Sequence, residues 1–195
     1  MVLAVVVLCA LRGIPAAQAA DLGSSVPVPQ TVVVEPPDRA NTFEARFGAF
    51  YHDPGFDEAR PRTIDVNAEL VGPRLPIPVD GWAKMFVPRP MVGVMANTGG
   101  KTSFAYISAV WTFQWNNFFF EPIFGGAVHN GYLDNPPPGR LALGCNPLFH
   151  TGLSLGYYIT DHWAVMGTWQ HISNANACER NVGLNTYGLR LGYSF

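Results

Sequence analysis

The chain has 195 residues, of which 48% are hydrophobic and only 13% charged, with 20 glycines, 17 prolines and 13% aromatic residues. That charge content is about half of the roughly 25% typical of a water-soluble domain, yet past the N-terminus no run of about 20 uninterrupted apolar residues could cross a bilayer as a helix. A formal net charge of −2 offers no basic surface for phosphate and excludes nucleic acid as a partner. The aromatic density excludes disorder over most of the chain.

Met1 to Ala10 (MVLAVVVLCA) is apolar, and Ala17-Gln18-Ala19 supplies the small-x-small site of a secretory signal peptide, predicted over residues 1–19. The basic residues that usually precede such a run are missing, since the first positive residue is Arg12, which points to a start upstream of Met1. Residues 20–42 are rich in Pro, Ser and Val without a sustained period, and read as a flexible lead-in. From Phe43 the pattern changes. Phe43, Ala45, Phe47, Ala49 and Tyr51 alternate with Glu44, Arg46 and Gly48, the period-2 signature of a strand with one apolar face. Ile64, Val66, Ala68 and Leu70 repeat it, and further strand-like runs cover about 90–97, 103–115, 118–130, 149–160, 162–173 and 184–195.

Eight such runs, most near the 9–11 residues that cross a bilayer as a tilted strand, predict an all-β chain whose residues 43–195 form an eight-stranded antiparallel transmembrane β-barrel. The connections agree: Asn116-Asn117 and Asp161-His162 are tight turns, as on the periplasmic side, while 52–62, 131–148 and 174–183 are longer outer loops. Two connections depart from the rule, a short outer loop from Asn97 to Thr102 and a long Pro-rich segment at 72–89 read as an irregular periplasmic excursion. In the last strand Tyr187, Leu189, Leu191, Tyr193 and Phe195 occupy one face, and Thr186, Gly188, Arg190, Gly192 and Ser194 the other. A soluble barrel would turn the apolar set inward, but Arg190 among glycines makes a poor aqueous exterior, so the apolar set is predicted to face lipid. The terminal Phe195 resembles the signal read by the outer-membrane assembly machinery, a predicted partner.

Alternation in the seventh strand puts Trp163, Val165, Gly167 and Trp169 on the lipid side and Thr168 and Gln170 in the lumen. His171 and Ser173 therefore share the lipid-facing side near the outer end, and Asn185 has the outward parity of the eighth strand. Three polar groups converge where apolar residues are the norm. Trp111, Trp115, Trp163 and Trp169 read as interfacial girdle aromatics. His52, His129, His150 and His162 show no metal-ligand spacing, and no metal or other cofactor is predicted.

His171-Ile172-Ser173-Asn174-Ala175, followed by Asn181-x-Gly183-Leu184-Asn185 and the terminal strand, resembles the outer-membrane lipid A deacylase family (PagL type). The resemblance implies an eight-stranded barrel that removes the ester-linked 3-position acyl chain of lipid A, with lipopolysaccharide as substrate partner. It implies Ser173 as nucleophile, His171 as its general base, Asn174 as oxyanion donor and Asn181 as support. The chemistry needs this set, because a serine hydroxyl is a weak nucleophile until a base takes its proton and the oxyanion needs preorganised donors. Asn185 stands where the family has an acidic residue; an amide oxygen still accepts from imidazole Nδ1–H but lends no negative charge. Glu179, in the adjacent loop, is the alternative orienting group. Three readings stay open: a working esterase with a Ser173–His171–Asn185 triad, an inactive member, and a non-catalytic structural or adhesion-type barrel. Cys145 and Cys178 fall in the two outer loops that flank adjacent strands, so they are expected to form a disulfide, with two free thiols as the alternative. A homodimer is a further expectation.

Overall fold

A computed structural model describes residues 38–54 and 62–195, so the expected signal peptide and all but the last residues of the expected lead-in lie outside the described residues. The strands are β1 (Glu44–His52), β2 (Thr63–Val71), β3 (Arg89–Asn97), β4 (Phe104–Val110), β5 (Phe113–Trp115), β6 (Phe118–His129), β7 (Leu148–Tyr158), β8 (Trp163–Ser173) and β9 (Leu184–Ser194). Among the described residues every strand pairs antiparallel, and the sheet closes on itself because β1 pairs with β9 and β4 with β6. β4 and β5 are two stretches of one barrel strand, which makes the closed barrel eight-stranded as expected.

The expected fourth strand, 103–115, is thus interrupted at Trp111-Thr112, and Pro122 is the reason. The register runs unchanged from Val110↔Ile123 to Phe113↔Phe120. Trp111 N–H donates to Pro122 O at 3.1 Å, but proline has no N–H to return the bond.

Side chains sort as the alternation requires. Phe47, Tyr51, Val66, Ile107, Phe124, Leu155, Leu189 and Leu191 stand exposed on the outer wall, while the lumen holds buried charges. Near the end that carries the Asn116-Asn117 and Asp161-His162 turns, Arg46 donates to Glu44 at 2.8 Å and to Glu121 at 2.7 Å, and Arg89 reaches Glu44 at 3.1 Å. At mid-height Arg190 pairs with Glu69 and donates through Nε to Asn67 Oδ1 at 2.7 Å. Toward the other end His52 bonds Asp65 at 2.9 Å. The lumen is packed with matched pairs, as burial of charge demands.

The 72–89 segment has a definite place. After β5 leaves the edge of β3, this segment covers it. Arg74 donates to Thr112 O at 3.0 Å, Trp111 Nε1 donates to Phe86 O at 3.0 Å, and Phe86 packs edge-on against Phe113. Its short 3-10 helix, Gly81–Phe86, leaves Trp82 and Phe86 exposed. The end of the lead-in is ordered too: Asp38 caps a 3-10 turn at Arg39–Asn41, Ala40 is buried, and the Arg39 guanidinium lies 4.4 Å over the Tyr158 ring.

Candidate active site

β8 carries Ala164, Met166, Thr168, Gln170 and Ile172 into the barrel and so turns Trp169, His171 and Ser173 outward, half-buried. β9 presents Asn185 in register with His171. His171 Nδ1 lies 3.0 Å from Asn185 Oδ1, and the same oxygen accepts a hydrogen bond from Trp169 Nε1 at 3.0 Å. The Trp169 ring stacks beside the imidazole, centroids 6.1 Å apart and 26° between planes. Ser173 follows His171 on the same face, about 7 Å along the strand, with Phe149 of β7 opposite it. No hydrogen bond joins Ser173 to His171 among the described residues, an open geometry common before substrate binds.

The far edge of the imidazole is set by the β8–β9 loop. Gly183 is buried with φ +68°, and a Cβ added there would meet His171 Cε1 at 2.8 Å and Nε2 at 3.4 Å. Glycine is required for the left-handed backbone and for the close approach. The sequence marks Trp169 only as a girdle aromatic, and names Gly183 in the motif without giving it a role. Their positions, two residues before His171 and two before Asn185, are the signal that could have found them.

The loop itself is clamped to the β6–β7 loop. Asn174 O accepts from Ala177 N–H at 2.9 Å across a turn whose central residues, Ala175 and Asn176, have φ of 51° and 65°. The Asn174 side chain, expected to face an oxyanion, instead turns inward and is 2% exposed. Its Nδ2 donates to Leu143 O at 2.9 Å and to Arg180 O at 2.5 Å, so both amide hydrogens are committed to two carbonyls. The backbone N–H of Asn174 donates to Asn181 Oδ1 at 3.0 Å. Gly144 lets the two loops meet, since a Cβ there would collide with Arg180 O. Cys145 and Cys178 are joined by a disulfide across the same two loops.

Glu179 is exposed, and the atom it would orient, His171 Nδ1, is occupied by Asn185. The other histidines serve the scaffold: His129 bonds Cys145 O, His150 bonds Ser108, and His162 bonds Ser194 O. Among the described residues no group of three His, Cys, Asp or Glu side chains is placed to hold a metal ion. An aromatic groove of about 540 Å³ lies on the lipid-facing wall at the opposite end of β8, bordered by Phe118, Phe120, Leu155 and Gly167. Six strand residues, about 20 Å, separate Gly167 from Ser173, so the groove is distinct from the polar trio.

A family model for lipid A 3-O-deacylase (PagL) matches residues 79–194. The crystal structure of the outer-membrane enzyme PagL is similar to this chain at 18% identity and a TM-score of 0.56, covering 78% of this chain and 99% of that one. The N-terminal β-barrel domain of Pseudomonas aeruginosa OprF matches at 13% identity and a TM-score of 0.52, covering 80% and 98%. A de novo designed transmembrane β-barrel matches at 12% and 0.51, covering 83% and 98%. These similarities speak to the fold. No curated protein matches the chain. Because the family model spans more than half its length, the chain belongs to the lipid A 3-O-deacylase (PagL) family, as a β-barrel of the Gram-negative outer membrane.

Proposed function

We propose that the protein is a serine esterase that hydrolyses the ester-linked 3-position acyl chain of lipid A within the outer leaflet. The observation that carries this reading is the outward-facing His171–Asn185 pair, bonded at 3.0 Å on a lipid-facing wall with Ser173 on the same face. A structural barrel has no use for three polar groups there. A substrate that diffuses laterally in the leaflet reaches such a site without entering the lumen, which is filled by ion pairs.

Ser173 Oγ attacks the ester carbonyl while His171 Nε2 takes the hydroxyl proton. The tetrahedral oxyanion collapses to the acyl-enzyme, and His171 returns the proton to the departing lipid A alkoxide. Water, deprotonated by His171, then releases a 3-hydroxy fatty acid and regenerates Ser173. Since the Asn174 amide is spent on loop carbonyls, oxyanion stabilisation falls to the Asn174 backbone N–H, one residue past the nucleophile, with Asn181 Nδ2, which bonds Asn176 Oδ1 at 2.9 Å before substrate arrives, as the supporting donor. Asn181 Oδ1, 3.0 Å from that N–H, occupies the acceptor place an oxyanion would take and must yield it. The Asn185 amide orients the imidazole without neutralising the imidazolium, so turnover is slower than with a carboxylate.

The test is incubation of the purified protein with lipopolysaccharide beside Ser173→Ala. Release of 3-hydroxy fatty acid by the wild type alone supports the esterase. No release by either protein overturns it and leaves the inactive or structural barrel.

A further inference from the structure

Resting on the esterase reading, we infer that Trp169 is a positioning residue that makes an asparagine usable as the third member of the triad. An indole Nε1–H can only donate. It lies 3.0 Å from one end of the Asn185 amide, so that end is the oxygen and the NH2 points away. The same oxygen lies 3.0 Å from His171 Nδ1, which must therefore carry the ring hydrogen. Nε2 is left with its lone pair, on the imidazole edge near Gly183.

A carboxylate needs no such lock, because its two oxygens both accept and rotation by half a turn changes nothing. The amide is different. Turned over, it presents NH2 to Nδ1, moves the ring hydrogen to Nε2 and removes the base that Ser173 needs. The two orientations are isosteric, and the neighbour that tells them apart is the donor-only indole. Trp169 thus sets the amide, the amide sets the tautomer, and the tautomer sets whether His171 can accept a proton. Substrate contact is not required for this role.

The experiment is a double-mutant cycle in detergent micelles, Trp169→Phe and Asn185→Asp alone and together, read by kcat, KM and the 15N spectrum of His171 with the imidazole neutral. Phenylalanine keeps the ring beside His171 and removes the donor. With Asn185 in place, Trp169→Phe is expected to lower kcat about fivefold to tenfold, the scale of one neutral hydrogen bond, and to shift His171 toward the Nε2–H tautomer. In the Asn185→Asp background the same change is expected to cost less than about twofold, with the tautomer unchanged, because either carboxylate oxygen accepts. An equal loss in both backgrounds, or an unaltered Nδ1–H signal in Trp169→Phe, overturns the positioning role. The tautomer is read without turnover, so a wild type that releases no fatty acid sinks the esterase reading while the spectrum still decides the lock.

Discussion

Gly183 lies against the candidate base, and both its φ of +68° and the 2.8 Å that would separate an added methyl from His171 Cε1 forbid a larger residue. Gly183→Ala is expected to lower kcat at least tenfold by pushing the imidazole off Asn185, while heat-modifiable migration on gels still shows a folded barrel. Asn185→Asp changes charge without changing length, and the bond to His171 Nδ1 is already formed at 3.0 Å. It is expected to raise kcat at least tenfold, against the roughly 10⁴-fold effect of the reverse change in a serine protease triad; steady-state release of fatty acid measures it, and an unchanged kcat would mean that His171 gains nothing from the charge. The outward parity of His171, Ser173 and Asn185 was legible in the sequence because a strand alternates strictly. The contacts of Trp169 and Gly183 were not. Their importance depends on which atom of a neighbouring strand or loop they touch, and the alternation pattern carries no such distance.

The β8–β9 loop and the β6–β7 loop work as one element. Asn174, the Val182 N–H bond to Ala142 O and the Cys145–Cys178 disulfide hold them together at the mouth of the site. Replacing both cysteines by serine is expected to lower stability by about 2–4 kcal/mol and to reduce activity more than the barrel's own integrity. Urea unfolding in micelles beside a fatty-acid release assay checks this; equal activity would detach the loop staple from the site. That both cysteines fall in loops at one end of the barrel could be read from the turn pattern. The inward turn of Asn174 could not, because Asn is as suited to a clamp as to an oxyanion hole, and only the two carbonyls facing it decide. Likewise Pro122 was visible in the sequence, but the interruption it imposes falls on the partner strand, at Trp111-Thr112.

The whole barrel is a sheet turned outward in its chemistry, apolar toward lipid and charged within. Glu121 accepts from Arg46 at 2.7 Å and from Thr112 at 2.6 Å, so Glu121→Ala leaves buried Arg46 and Arg89 to share Glu44, one positive charge in excess; a loss of about 3–5 kcal/mol is expected in denaturant titration. On the other face, Leu189 stands exposed midway along β9, and Leu189→Arg is expected to cost about 2–4 kcal/mol in a bilayer. The same substitution would cost little on a water-facing wall, so unfolding measured in vesicles tests the membrane assignment directly. Composition and alternation by themselves determined the barrel, its strand number and which residues face lipid, because a two-residue period and a bilayer-length strand leave few other solutions. Only the tertiary structure decided which atoms of these polar groups bond and what holds them. The exact register that sets His171 3.0 Å from Asn185, the indole that orients that amide, and the loop that holds Asn174 inward depend on contacts between residues of different strands and loops, which no local pattern encodes.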